Sequence, residues 1–534
     1  MAGSSFAFPT PVVLALLDVS FSLPSLVSDK LLNFRFVAYS AQEYALARSA
    51  PVMCGDKVTK MLNWHRALHF LISTPWLAQL AAFESPKGLH YSPEIAQDST
   101  PGHELIVIHE SRERFEMPIC RLGDLQALQS RVSVERWTNA DNTFPLQRVL
   151  DVARTSLSSL PVDRIYAYLG LVPEASWQGL SIDYSRSTAE TYLQAALAMI
   201  KSTKSLSILS FVEDSALRRA QGLPSWVPDY TQRHSIRYLD PGSKDKFAGL
   251  PPGRFECTNG SQYDFEANDM LCRVLHVIGA CYGLVSEISI SKSITPSLPD
   301  SHFHLEQSDA VLNCIPRLPQ NCFWRTLFSD EDMWESSYPA SDRSAKTIFS
   351  IWITALVVRV SKIEEIMSVS LASAAELEQG LNELRKTLKA YLMLSGDKRF
   401  FDNVKFENDV AFVPSFETMR AYIVDAADGL LPKPCDDMTR TDLEVIVSRV
   451  HYSLDVHMSN RVLFVTSDQQ LGKGPASMQS GDQVWLLRGA KVPYILRPLG
   501  LSKYELVGEA YIHGIMQGEA WTDDSESLTT ITLV

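Results

Sequence analysis

The sequence predicts an α+β chain: a mainly helical body with a small antiparallel β-barrel-like module formed by a mid-chain strand region and the C-terminus. Three observations lead there. Between 461 and 520, short apolar runs at 462–465, 484–487 and 494–496 each meet Gly, Pro or Asp within a few residues, and a fourth at 505–512 follows the turn containing Gly500. A strand-like pattern also occupies 254–290, with runs at 270–275 and 281–288 broken by Gly279 and Gly283. Between and before these regions, capping signals and apolar residues at helical spacing prevail. The mid-chain strands are too few to close a sheet alone, so they are expected to join the C-terminal ones, with the intervening helices inserted into one β-module. The division that follows is 1–135, a region of mixed short segments; 136–250, helical; 251–295 with 455–534, a discontinuous β-module; and 296–454, a helical insert.

Helical character sharpens from Pro145 onward. Asp163 is placed to cap a short helix over 164–169, with Gly170 as its stop. Ser187-Thr188-Ala189-Glu190 is a capping box, and Tyr192, Leu193, Ala196, Leu197 and Ile200 recur behind it on one helical face. The LPSWVPDY stretch at 223–230 cannot be helical, because each Pro forces its predecessor out of the α region. An extended segment carrying Trp226 as a structural anchor is expected there. Past a Pro/Ser-rich connector at 295–299, the region 345–394 reads as helix. Its second capping box, Ser373-Ala374-Ala375-Glu376, precedes a stripe of Leu377, Leu381, Leu384, Leu388 and Leu392 suited to core packing.

At 534 residues the chain should divide into about two to four domains. Its 46% hydrophobic and 21% charged content is that of a globular protein, and the net charge of −13, with no basic run, argues against nucleic-acid binding. Eight scattered cysteines form no C-x-x-C pair, so zinc and dithiol motifs are not indicated and buried reduced thiols are expected. The apolar stretch at 12–17 lacks a preceding Lys or Arg and is cut by Asp18, unlike a secretory leader. The run at 348–358, ended by Arg359, falls short of the ~20 residues that span a bilayer. The expectation is a cytoplasmic protein without a membrane span. Asn259-Gly260-Ser261 matches a glycosylation acceptor and is read as a turn.

No constellation for catalysis stands out, so catalytic residues are unassigned and no cofactor or metal is expected. There is no G-x-S-x-G elbow, HExxH helix, Walker loop or dinucleotide fingerprint. Gly472-Lys473-Gly474-Pro475 lacks the upstream glycine and following Ser/Thr of a phosphate loop, and a turn is expected. His65 and His69 stand four apart on an expected helix at 60–72, but without the metalloprotease carboxylate; His302-Phe303-His304 lies in a loop near Glu306 and Asp309. The acid groups Glu364-Glu365, Asp330-Glu331-Asp332 and Asp523-Asp524 are read as solvated faces rather than acid–base pairs.

Several segments together resemble one family. PVDRIYAYLGL at 161–171, IDYS at 182–185 with Glu190 and Tyr192, LPSWVPDY at 223–230 and FWRTL at 323–327 resemble, in order, elements of the fungal heterokaryon-incompatibility (HET-domain) proteins. The stretches 461–475, 481–498 and 508–520 resemble that family's C-terminal block. Near the N-terminus only the end of the family's first domain is matched, by FRFVAYSAQEYALA at 34–47 and Cys54-Gly55, with Tyr39 where the family has Trp and Val37 where it has Arg. Residues 1–135 are therefore expected to be the remnant of a largely truncated HET domain.

The resemblance implies a TIR-like first domain, non-self recognition and cell-death signalling between fungal strains. Without the domain's opening motifs, no active-site residue can be carried over; Glu43 survives from the final motif and suits a structural contact as well as catalysis. The expected function is a truncated, non-catalytic form that acts by protein–protein interaction with an incompatibility partner. The alternative is an enzyme, either a degenerate TIR-like NAD-consuming hydrolase or an accessory protein of a biosynthetic pathway.

Overall fold

The computed structural model describes residues 51–54, 57–60, 146, 150, 158–170, 177, 179–212, 220–231, 239, 255–263, 273–289, 322–332, 338–341, 406–407, 410–411, 453–454, 457–458, 460–524 and 527–534. The chain divides into two compact units, 1–176 and 177–534. In the first, β1 (Pro51–Cys54) and β2 (Lys57–Lys60) form an antiparallel ladder with Cys54 opposite Lys57. The same unit contains α1 (Asp163–Leu169), which differs from expectation at both ends. Asp163 lies inside the first turn with Val162 as N-cap, and Gly170 ends the helix at a right-handed φ of −68°.

In the second unit, α2 (Thr188–Thr203) begins at a complete capping box: Ser187 Oγ accepts the Glu190 N–H, and the Glu190 carboxylate accepts the Ser187 N–H at 2.9 Å. It ends at Lys204, whose left-handed backbone turns the chain into a 3-10 helix, Ser207–Phe211. The 223–230 segment is a series of turns rather than an extended strand, because the Val227 N–H closes back on the Pro224 carbonyl. Trp226 is wholly buried, and its indole N–H donates to Arg273 O at 3.4 Å.

The rest of this unit is organised by one long strand, β3 (Leu275–Ile288), with a two-residue pair β4 (Phe406–Glu407) and β5 (Val410–Ala411) apart from it. Six C-terminal strands are β6 (Arg461–Thr466), β7 (Leu471–Pro475), β8 (Gln483–Leu487), β9 (Tyr494–Gly500), β10 (Lys503–Glu509) and β11 (Tyr511–Ile512). The last strand is β12 (Thr529–Leu533). β8, β9 and β10 form an antiparallel meander, β10 pairs with β12, and β12 and β8 both pair with β3. That closes a ring of five strands. The far end of β3 pairs with β6, and β6 leads through β7 to β11, which continues from β10 past Ala510. A closed ring leaves no unpaired edge to recruit other chains.

Alternate residues fill the interior: Val285, Phe464, Val484, Leu486, Ile495, Val507 and Ile512 belong to one core. Their neighbours Trp485, Leu487, Tyr494 and Leu496 on the outer face are buried too. They are covered because the 3-10 helix and the 223–230 segment are bonded to the barrel: Leu206 N–H to Gly489 O, Ser225 N–H to Val534 O, and Leu506 N–H to Ser225 Oγ. Gly279 permits the closure. A Cβ there would run into the Leu486 carbonyl across the β3–β8 ladder.

The expected mainly helical body is overturned. Among the described residues the α-helices with described bounds are α1, α2 and α3 (Cys322–Leu327), of 7, 16 and 6 residues, while the second unit contains the closed barrel. Nor is the barrel purely antiparallel, since β12 runs parallel to β10. The physical reason is that the described part of this unit is held by strand ladders between stretches far apart in sequence, such as β3 with β8 and β12, which local helical spacing does not reveal. The helical spacing at 345–394 lies outside the described residues.

Candidate functional site

Among the described residues, a cluster of buried ionisable side chains lies on the flank of β6, β7 and β11. Strand alternation sets it up. Gly472 faces inward, where a Cβ would run into the Phe464 ring, and the next residue, Lys473, therefore faces out of the barrel. Lys473 is nonetheless 0% exposed. Its Nζ donates to Leu327 O at 2.7 Å and His457 O at 3.3 Å and stands 5.7 Å from the centre of the Tyr511 ring. Leu327 is the last residue of α3, where carbonyls lack intrahelical partners and the helix dipole is negative, so an ammonium suits the place.

The chain leaves α3 through a Schellman turn. The Asp330 N–H bonds to Arg325 O at 2.8 Å and the Ser329 N–H to Thr326 O at 3.4 Å, with Ser329 left-handed at φ 52°. Arg325 pairs with Asp330 and donates to Ala340 O at 2.9 Å. His457 sits between Ser329 Oγ, 3.3 Å from Nδ1, and Glu331 Oε2, 3.1 Å from Nε2, and its ring packs on Phe328.

Ser329, His457 and Glu331 thus have the connectivity of a hydrolase relay, but the geometry does not make one. Ser329 is 2% exposed, and the N–H groups of 329, 330 and 331 are all spent on backbone carbonyls, so they cannot serve as an oxyanion hole. The constellation is a buried polar joint.

Two further clusters flank it. Arg461 pairs with Glu509, which also accepts the Leu239 N–H at 2.7 Å. Burial pushes the Glu509 carboxyl up, against the pull of the Arg461 guanidinium and that N–H. On the other side Gln517 donates to the Tyr338 hydroxyl at 3.0 Å, and Tyr511 O–H and His513 Nδ1 lie 3.4 Å apart. Burial raises the Tyr338 phenol to about 12 and the Tyr511 phenol well above 10, where the Asp330 carboxylate adds to the effect. Burial, then the Arg325 charge, lowers His513, so its imidazole is neutral in ordinary conditions.

The sequence reading placed two of these features differently. Gly472–Pro475 was expected as a turn and is strand β7; Asp330, Glu331 and Asp332 were expected on a solvated face and are buried. A three-acid run following FWRTL gives no periodicity by which to recognise burial, and Arg325, five residues earlier, is the one visible clue. Asp523 is 71% exposed beside Arg488, as a solvated acid would be. Asn259 and Gly260 are the left-handed centre of a turn closed by the Ser261 N–H on Thr258 O at 3.0 Å. Cys257 and Cys322 are buried and Cys281 is exposed, all three as free thiols. Glu43, His65, His69, His302, His304, Glu306, Asp309, Glu364 and Glu365 lie outside the described residues. Among the described residues no group of His, Cys, Asp and Glu is arranged to hold a metal ion, and no helix is long and apolar enough to cross a membrane.

A closed barrel completed from mid-chain, with a charged seam on one flank, can be compared with known proteins. The family model of the Het-6 β-barrel domain matches residues 417–528. Heterokaryon incompatibility protein 6, OR allele, of Neurospora crassa is 24% identical over 375 residues, 67% of this chain and 48% of that protein. Over these residues the chain is similar to the fungal heterokaryon-incompatibility proteins. It spans about half the length of the curated relative it matches. No solved structure matches it. The span of the Het-6 barrel model contains β6–β11 but neither β3 nor β12, so in this chain two strands of the closed ring come from outside that span.

Proposed function

We propose that this chain acts in non-self recognition between fungal strains, in the cytoplasm, through contact with a protein partner and without chemistry of its own. The observation that carries the reading is the inward use of the barrel's ionic groups. Lys473 is bound to two peptide carbonyls, Arg461 to Glu509 and Arg325 to Asp330, so the seam serves cohesion rather than turnover. At its tip the β9–β10 hairpin offers two apolar side chains outward, Leu499 at 55% and Leu501 at 97% exposure, beside exposed Ser502 and Lys503. The match of 417–528 to the Het-6 β-barrel domain and the likeness to a protein named for heterokaryon incompatibility support the same reading.

The test is a pair of viability measurements. The chain is expressed in one fungal strain, which is then grown alone or forced into heterokaryons with like and unlike strains. The strain alone and the like pairing should grow normally, while an unlike pairing should lose viability. Death on expression in the strain alone, or full viability in every pairing, contradicts the proposal.

A further inference from the structure

The 255–263 segment is bonded to three separate stretches of chain. The Glu256 N–H donates to Met516 O, the Cys257 N–H to Lys491 O and Thr258 Oγ1 to Ala490 O, while Ser261 Oγ accepts the Gly489 N–H and the Tyr263 N–H reaches Lys204 O. Between these anchors Asn259 and Gly260 are exposed, with φ of 51° and 70°, and the Ser261 N–H closes on Thr258 O at 3.0 Å. Positive φ at both central residues makes this a type I′ turn, for which Asn-Gly is a preferred pair. Among the described residues nothing bonds to the Asn259 carbonyl or to the Gly260 N–H, and a Cβ on Gly260 would meet open space. The central peptide is thus free to rotate into the type II′ form while the closing hydrogen bond stays made, since glycine accepts either sign of φ. That rotation takes ψ of Asn259 to about −120°. There the Gly260 nitrogen faces Cγ of the Asn259 side chain.

We infer that Asn259 is a site of spontaneous deamidation, which ages the turn that clasps 489–491. The Gly260 nitrogen adds to Asn259 Cγ, forming a C–N bond and giving its proton to solvent. The Cγ–Nδ2 bond breaks, and Nδ2 takes up a proton and leaves as ammonia. Water then opens the five-membered imide at either carbonyl, leaving Asp or isoAsp at 259; nothing is oxidised or reduced. Because nucleophile and carbonyl belong to adjacent residues, proximity makes a weak nucleophile sufficient. A Cβ on Gly518 would run into the Asn259 amide, so Asp at 259 puts a carboxylate against Gly518, one residue from Glu519. IsoAsp instead lengthens the main chain by one methylene between the Thr258 and Ser261 anchors. The inference rests on this turn alone and is independent of the recognition role proposed above.

Peptide mapping by mass spectrometry of the full, unaltered chain, held folded at mildly alkaline pH, tests it. Asn259 should convert with first-order kinetics, faster as pH rises, to a mixture of Asp and isoAsp, the isoAsp being scored by an isoaspartyl methyltransferase. Asn460 is the internal control: it too is left-handed, at φ 50°, but is followed by Arg461, whose side chain hinders ring closure. Conversion at Asn259 should outrun that at Asn460 by about tenfold or more. Equal rates at the two sites, or Asp without isoAsp at 259, overturn the inference. Hydrogen–deuterium exchange then compares fresh with fully converted protein. Peptides covering 489–491 should exchange faster after conversion, while those covering 275–288 hold their protection. Unchanged exchange at 489–491 overturns the ageing of the clasp, as does an equal rise at 275–288.

Discussion

The phenol oxygen of Tyr494 lies 2.9 Å from Ser210 Oγ, 284 residues earlier in the chain, and 3.3 Å from Leu206 O. This contact fixes the outer face of β9 to the 3-10 helix after α2, both ends being fully buried. In Tyr494→Phe, Ser210 and Leu206 lose a partner where water cannot replace it. The expected cost is about 1–3 kcal/mol. It should be read as a lower urea midpoint with an unchanged slope; a midpoint equal to that of the natural protein would remove the contact from the account.

Gly472 and Phe464 form the tightest inward contact of β7. Gly472→Ala should cost about 1–3 kcal/mol through overpacking. Because the Phe464 ring is the nearest obstacle, ahead of Ile512 Cγ1, adding Phe464→Leu should recover part of that loss, so the two effects should be non-additive by about 0.5 kcal/mol or more in a double-mutant cycle. Strict additivity would show that the Phe464 ring is not what excludes a side chain at 472.

The Arg461–Glu509 pair is buried, at 5% and 6% exposure, so breaking it differs from replacing it. Arg461→Met alone leaves a carboxylate without its cation and should cost about 3–5 kcal/mol, whereas Arg461→Met with Glu509→Leu should cost much less. The pH dependence follows from the raised Glu509 carboxyl. A carboxyl that binds its proton more tightly folded than unfolded contributes stability that is present below its ordinary range and lost as pH rises through the raised value. The double variant should therefore show a flatter decline in denaturation midpoint above about pH 4.3, the unperturbed Glu value. An identical pH profile would contradict the assignment.

Tyr338 provides an alkaline counterpart. Its phenol is raised from 10 to about 12, so the folded state holds the proton that the unfolded state releases. Stability from this group is complete below pH 10 and is lost as pH rises from 10 to about 12. Tyr338→Phe should lessen the alkaline fall in midpoint, and ultraviolet titration of the folded protein should lose one late-titrating phenol. Loss of a phenol titrating near 10 instead would show that Tyr338 is not held in its buried position.

How much of this was legible in the sequence depended on whether local signals agreed with the final environment. The Ser187–Glu190 capping box is a contact within four residues, and it formed as written. β8 and β9 show continuous apolar runs because both their faces are covered, by the barrel core and by the 3-10 helix with the 223–230 segment. β7 was hidden because its outward residue is a lysine buried by a distant segment and its inward residues are glycines. β12 was hidden because three of its five residues are threonines. The acids at 330–332 were misplaced for a similar reason. Glu331 is paired with His457, which lies more than a hundred residues away and cannot be matched to it from spacing. The helical signals of 345–394 lie where the structure gives no description.

The central structural claim is that the C-terminal barrel is completed by β3 across the long intervening segment. Native-state hydrogen exchange of the full chain, followed at amides of β3 and of β8–β10, tests it most directly. If β3 closes the ring through its ladders with β8 and β12, peptides covering 275–288 should be protected as strongly as those covering 483–509 and should open with them as denaturant is added. Rapid exchange at 275–288 beside lasting protection at 483–509 would show a barrel that stands without its mid-chain strand, and would contradict the account.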